Sequence, residues 1–362
     1  MSTQEPFCGT TLVAIGEYYM RNMQGYVDIS TGVIGSIFNL FNILVFTRRN
    51  MISPTNLIFA HLAFADLLMI LAIIPNSWIQ FTQYNALVSN NQVWTYTRAL
   101  FSMRSTEFIL TFHFISVYFI VTLAVWKYIG IVSPLKERQW CNMKTTRNVA
   151  IVGYIMCILL GVPLYLSYFI KTISIDEKII IYMPSLEHDS IQFLIAMIIN
   201  GVLHQLLPSV ILLILSFKLI ATLLTKKGPH QSSSLPSNIQ NTNIGNVKTK
   251  DQNGRSIIIL LIIIILCLSN HIPRGILDSV FVIRSEYTII HLKCIRTLAA
   301  ILHTLNCLNA SVTFIIFYTL NRDFKATFKS LFSKKGISIG ERKYFILGEM
   351  QKANAGPEIN QV

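Results

Sequence analysis

Apolar residues in this chain gather into seven runs, 26–46, 56–74, 108–128, 149–170, 193–224, 256–283 and 298–318. Each is about the 20 residues a helix needs to cross a bilayer. The pattern predicts an all-α membrane protein, a seven-transmembrane helix bundle. The fourth and seventh runs are the weakest, one holding Pro163 and the other His303, Asn306 and Asn309. After the last run, Phe324, Phe328, Leu331 and Phe332 recur at helical spacing opposite Lys325, Lys329, Lys334 and Lys335. That pattern predicts a short amphipathic helix, 322–333, on the membrane surface. The remainder divides into an extracellular amino terminus (1–25), a transmembrane domain (26–321) and a disordered tail (334–362). Residues 226–255, rich in Ser, Asn, Gly and Pro, read as a disordered cytoplasmic loop. An odd number of helices without paired halves argues against a transporter built from inverted repeats.

The net charge of +13 changes the picture through its placement. The segments after the first, third, fifth and seventh runs hold 21 of the 30 Lys and Arg. The positive-inside rule then puts the amino terminus outside and the tail in the cytoplasm. The basic excess serves topology and contact with anionic lipids, which leaves nucleic acid a remote partner. No cleavable signal peptide is evident, so the first run is expected to act as an uncleaved anchor in the plasma membrane. Six cysteines lack metal-ligand spacing, and no nucleophile–base pattern suggests an enzyme. Cys8 and Cys294 alone fall on the oxidising side and are the candidates for a disulfide.

Several residues are too polar for their depth, and intramembrane ionisable groups are functional candidates by default. Asp66 lies mid-span in "LAFADLL", with Asn39, Ser116 and Asn309 at comparable depth in other spans. Two readings stand: an allosteric sodium ion held by carboxylate, amide and hydroxyl oxygens, or a hydrated packing network. No other metal or cofactor is expected. Pro208 and Pro273 interrupt apolar helices and are candidate hinges, with His271 two residues before the second. Trp126, Lys127 and Tyr128 end the third run, where an aromatic–cation anchor is common.

Together these features resemble a rhodopsin-like (class A) G-protein-coupled receptor. "GSIFNLFNILVF" carries Asn39, "LAFAD" carries Asp66, and Pro208 and Pro273 match the family's prolines in helices five and six. "SPTNLIFAHLAFADLL", "FHFISVYFIVTLAVWKYIGI", "QWCNMKTTRNV" and "HIPRGIL" are similar to the invertebrate FMRFamide-like and myosuppressin peptide receptors and the related nematode serpentine W-class chemoreceptors. The resemblance runs from about Gly35 to Phe332.

It implies an extracellular neuropeptide ligand, an amidated FMRFamide-like peptide, and a heterotrimeric G protein of the inhibitory type. Lys127 stands where the family carries the arginine that faces the G-protein crevice, and lysine keeps the charge without the planar fork. Trp126 replaces the usual preceding acid. Ser102 stands where the family has its bridging cysteine, and 171–189 has none. His271 replaces the usual sixth-helix tryptophan, and the seventh-helix signature reads "TFIIF". For a peptide ending in Arg-Phe-amide, Glu107 and Asp278 are candidate partners of the arginine, with Arg274 and His271 beside them. Glu187 and Asp189 would add steering charge. The competing reading pairs Glu107 with Arg104 and Asp278 with Arg274 as helix neighbours. Two other functions remain open: a chemoreceptor for an environmental ligand, and a non-signalling seven-helix ligand sink or scaffold.

Overall fold

A computed structural model describes residues 10–89, 95–175, 179–186, 191–226, 243–283 and 289–332. Among them, seven helices are long and apolar enough to cross a membrane: Gln24–Phe46, Pro54–Thr82, Tyr96–Val132, Met143–Ser167, Ile199–Thr222, Gly254–Ser279 and Lys293–Leu320. The seven apolar runs thus form seven spans of a helical bundle, each longer or shorter than its run by a few residues to a few turns.

A helix the hydrophobic runs do not show precedes the first span. Helix α1, Thr10–Asn22, leads almost directly into α2, Gln24–Phe46. Helix α3 covers Pro54–Ser89 and α4 covers Tyr96–Val132. At 1.5 Å per residue α4 is about 55 Å long, well beyond the hydrocarbon core. Thr95 caps its first turn by accepting from the Arg98 amide at 3.4 Å, and it stops at Ser133, just before Pro134. Helix α5, Pro134–Trp140, is a two-turn segment between the third and fourth spans, and α6, Met143–Ser167, is the fourth span.

The fourth run was expected to continue as helix to residue 170. Instead β1, Tyr168–Ile175, and β2, Ile179–Leu186, pair antiparallel, with Tyr168 opposite Leu186 and Ile175 opposite Ile179. The β-branched alternation of "IKTISI" and "IIIYM" explains the change of period.

The fifth span is irregular. Helix α7, Ile191–Ile198, passes into a π-helix over Ile199–Leu206 and then α8, Leu207–Lys226. Pro208 lacks the N–H that an α-helix would direct at the His204 carbonyl, and the wider turns precede it: the Leu207 amide donates to the Val202 carbonyl, five residues back. The sixth span belongs to α9, Asn243–Ile283, which runs through Pro273. The expected disordered loop therefore needs correction. Residues 243–255 continue this helix, because extending an existing helix costs far less than nucleating one; 227–242 lie outside the described residues. Helices α10, Ile289–Leu320, and α11, Arg322–Phe332, complete the chain. Asn321 starts α11 by accepting from the amides of Asp323 and Phe324, both at 3.1 Å.

The buried apolar core is concentrated in one half of the bundle. Phe46 stacks on Phe59 at 5.5 Å and meets Phe317 edge-on at 4.9 Å, while Phe324 of α11 lies 5.1 Å from Phe46 and is fully buried. The amphipathic helix is thus anchored in the bundle by Phe324, leaving Phe332 exposed. The other half holds buried polar groups, among them Asp28, Asn76, Glu107, Asn200, Gln205, Asp278 and Thr304. Buried polar groups must be paired or face a cavity, so this half is where a site is to be sought.

Candidate functional site

Helices α1, α2, α3, α4, α9 and α10, with Tyr168 of β1, enclose a cavity of about 260 Å³ in the polar half. Its walls include Gln24, Asp28, Gln80, Phe81, Arg274, Arg296 and His303. Gly25 lets the Phe81 ring approach α2, since a Cβ there would stand 2.5–2.8 Å from the ring carbons. A volume below the usual 300–1,000 Å³ of small-molecule sites suits one end of a ligand, not a whole peptide.

Asp28 is fully buried and already engaged. It accepts from Thr304 Oγ1 at 2.7 Å and from Ser77 Oγ at 3.4 Å, and His303 Nε2 lies 3.8 Å away. Thr304 has one hydroxyl proton, which goes to Asp28, so Tyr19 Oη must be the donor in its 2.8 Å bond to Thr304. Helix α1 is thereby wired to the cavity wall through Tyr19, Thr304 and Asp28. Burial pushes the Tyr19 phenol pKa up, opposed by the Thr304 bond. Lys293 and Glu17 add an ion pair of 2.8 Å between α10 and α1. Cys294 is disulfide-bonded, whereas Cys141, Cys157, Cys267 and Cys307 are free. The expected partner, Cys8, lies outside the described residues.

Beside this cavity the structure places Glu107 and Asp278, and it uses both locally. Glu107 pairs with Arg104 at 2.8 Å, and Arg104 also donates to the Tyr165 carbonyl at 3.3 Å. Asp278 accepts from Gln205 Nε2 at 2.6 Å, Asn200 Nδ2 at 3.1 Å and Arg274 Nε at 3.3 Å. Neither carboxylate lines the cavity; Arg274 does. The pairing of each acid with its helix neighbour is the arrangement observed. The two amides come from the π-helix, so Asp278 ties the irregular part of the fifth span to the sixth. Burial raises the pKa of Tyr168, Arg274 opposes, and Asp278 and Glu107 add to the rise, which places this phenol among the same charges. Glu187 and Asp189 lie outside the described residues.

Deeper in the bundle is a second cavity of about 40 Å³, lined by Asp66, Ser116, Asn270, His271, Asn306, Asn309 and Thr313 among others. Ser116 donates to Asp66 at 2.6 Å. Asn309 Nδ2 donates to the Leu266 carbonyl at 2.8 Å and Asn306 Nδ2 to Met69 Sδ at 3.4 Å, which leaves both amide oxygens available. Asn39, expected in this cluster, does not line it. It donates to the Gly35 and Ala310 carbonyls at 3.0 and 2.9 Å, because α2 and α10 pack closely enough there to use an amide as a cross-strut. His271, expected near the ligand, lines this inner cavity. It stacks on His113 at 4.6 Å, and neither ring nitrogen of His271 has a partner among the described residues.

Lys127 stands 21 residues after Thr106, about 31 Å along α4 and thus at the far end of the bundle from the outer cavity. Trp126 is buried in the apolar core, not laid along the interface. The Lys218 ammonium of α8 sits 5.3 Å over the Tyr128 ring. Glu137 of α5 folds back over Gly130, where a Cβ would meet its carboxyl atoms at 2.7–2.9 Å. The Cys141 thiol reports the same neighbourhood: burial and Glu137 push its pKa up while Lys127 opposes. Glu137, ten residues on, thus shares the neighbourhood of Lys127.

Sequence reasoning missed Asp28, Arg296, His303, Asn200, Gln205 and Glu137. The rule that singled out Asp66 applies equally to Asp28 and to His303 in the seventh run; the others were not distinguished before their partners were known.

Residues 26–335 match the family described as serpentine type 7TM GPCR chemoreceptor Srw. Sex peptide receptor-related protein 2 of Caenorhabditis elegans is 26% identical over 178 residues, 46% of this chain and 39% of that protein. The Caenorhabditis elegans G-protein coupled receptor dmsr-1 is 22% identical over 376 aligned positions, covering 90% and 71%. The Sex peptide receptor of Drosophila melanogaster is 27% identical over 133 residues, 36% and 29%. The matched segments thus span well under half of two of these relatives. With a family match covering the whole bundle and seven spans in the structure, the chain belongs to the serpentine 7TM GPCR chemoreceptor Srw family and is a multi-pass membrane protein.

Proposed function

We propose that this protein is a plasma-membrane receptor whose extracellular ligand is a peptide. One end of the peptide enters the outer cavity, and binding there opens a crevice around Lys127 for a heterotrimeric G protein. The observation that carries the reading is the 260 Å³ polar cavity about 31 Å from Lys127, with α4 connecting the two. The basic excess in the segments on the Lys127 side supports an amino terminus outside and a tail in the cytoplasm. A ligand that binds the open state more tightly shifts the population toward it. A relative named Sex peptide receptor and one named as related to it support a peptide, and the relative named G-protein coupled receptor dmsr-1 supports the coupling. The FMRFamide-like type and the inhibitory G protein rest on the sequence resemblance alone. The acids once assigned to the peptide's arginine are engaged elsewhere, so the ligand must be read by other groups.

The inner cavity fits an allosteric sodium ion: Asp66, the Ser116 hydroxyl and the free oxygens of Asn306 and Asn309 are the hard donors such an ion takes. Asp66 would hold the ion by charge and the amides would complete its shell. A second reading, an environmental chemical as ligand, is favoured by the family's description as chemoreceptors. The test is a peptide library, amidated forms included, screened for G-protein activation in transfected cells. Activation by peptide pools supports the first reading, and activation by small environmental compounds alone supports the second.

A further inference from the structure

Resting on the peptide-receptor reading, we propose that Arg274 is the residue that recognises the inserted end of the ligand, through a planar acyl group such as a carboxamide or carboxylate. Arg274 lines the outer cavity with a third of its side chain exposed. Its Nε edge is committed to Asp278, at 3.3 Å. Its two terminal nitrogens make no bond among the described residues. A guanidinium presents its donors as a fork, and the pair of terminal nitrogens matches an oxygen-bearing plane in geometry and charge. Asp278 does not depend on Arg274 for its partners, because Gln205 and Asn200 satisfy it from the fifth span. Its bond to Arg274 holds the guanidinium in orientation, which makes Asp278 a positioning residue.

The rest of the wall agrees. The side chains of Gln24 and Gln80 line the cavity and make no hydrogen bond among the described residues, offering neutral donors and acceptors beside the fork. Phe81, Ile109 and Leu110 supply an apolar side for the ligand's last side chain. A cationic end fits badly. Arg274, Arg296 and His303 face the space, and the wall's carboxylate, Asp28, already accepts from Thr304 and Ser77. The cavity therefore takes the acyl end of a peptide in preference to a guanidinium.

The experiment uses full-length receptor in cell membranes and pools of short random peptides made in three forms. These end in a carboxamide, in a free carboxylate, or in a reduced group that lacks the terminal carbonyl. Nucleotide exchange is measured for wild type, Arg274→Gln, Arg274→Lys and Asp278→Asn, each normalised to surface expression. On wild type, at least one acyl form is expected to act more potently than the reduced form. Losing a hydrogen bond to a charged group corresponds to about 10–100-fold, so Arg274→Gln should cost the acyl pools that much and leave the reduced pool within about twofold. Arg274→Lys should recover part of the loss, and Asp278→Asn should keep the preference for an acyl end. A carboxamide preference identifies an amidated terminus, and a carboxylate preference identifies a free one; either supports the proposal. It is overturned if the reduced pool matches the acyl pools on wild type, or if Arg274→Gln weakens all three equally. Silence of every pool on wild type is a different result: it sinks the peptide reading and this inference with it.

Discussion

Replacing Asp278 with alanine removes the acceptor for two buried amides and one arginine. Asn200 and Gln205 are 6% and 2% exposed, so water does not reach their freed N–H groups from outside. Each buried donor left unsatisfied costs about 1–3 kcal/mol, giving about 2–6 kcal/mol for the pair. A water entering the vacated space offsets part of that, which points to the lower half, about 2–4 kcal/mol. Arg274, a third exposed, rehydrates and adds less than about 1 kcal/mol. Asp278→Asn keeps one acceptor oxygen while losing the charge, and its expected cost is smaller, about 1–2 kcal/mol. The buried free thiols Cys157, Cys267 and Cys307 make the assay direct, since a thiol-reactive fluorogenic dye labels them only as the bundle opens on heating. The expected order of melting temperature is wild type, then Asn, then Ala. Hydrogen exchange should show protection falling first at residues 199–206, the π-helix that Asp278 holds. Alanine melting together with wild type, or alongside asparagine, would refute the clamp.

Lys127→Ala should abolish agonist-driven nucleotide exchange without changing peptide binding, and Lys127→Arg should raise it by restoring a multi-donor head; an unaffected alanine variant would leave Lys127 as a membrane anchor. Sodium should lower agonist affinity for wild type and not for Asp66→Asn, measured by titrating sodium against potassium; equal insensitivity of both would leave a hydrated packing network around Ser116. Phe324→Ala removes a fully buried ring packed against Phe46 and Phe317 and is expected to cost about 3–5 kcal/mol, read in the same melting assay. A Phe332→Ala change, on an exposed ring, is its control, and equal effects of the two would contradict the anchoring of α11.

Much of the fold was legible because the bilayer imposes a length on apolar runs that needs no tertiary information. The amphipathic pattern of α11 was legible for the same reason, though not the burial of Phe324, which depends on where Phe46 and Phe317 lie. Helix α1 escaped notice because its 13 residues are too short to span, and Val13 on its apolar side is buried only once Cys294 and Leu298 of α10 lie against it. The hairpin escaped notice because its first residues belong to the fourth run and its pairing is set by register. The π-helix has no sequence period of its own; it follows from Pro208 together with amides that must reach Asp278. At the site, Glu107 and Asp278 were singled out as candidate partners of a peptide's arginine, yet their roles were decided by neighbours within the bundle. Arg104 and Arg274 were visible three and four residues away, while Asn200 and Gln205 lay some 75 residues distant in an apolar run. Glu137 is the same case at the Lys127 end. It is ten residues from Lys127, and only the turn between α4 and α5 brings it back over Gly130.

The central claim is that occupancy of the outer cavity is transmitted to the Lys127 end and drives nucleotide exchange. Purified receptor in lipid vesicles, mixed with a heterotrimeric G protein and the peptide pools, tests it through the rate of GTP-analogue uptake. The account predicts a peptide-dependent increase that saturates in parallel with peptide binding. Saturable binding with no change in uptake by any G-protein subtype would contradict it and leave a receptor-shaped ligand sink.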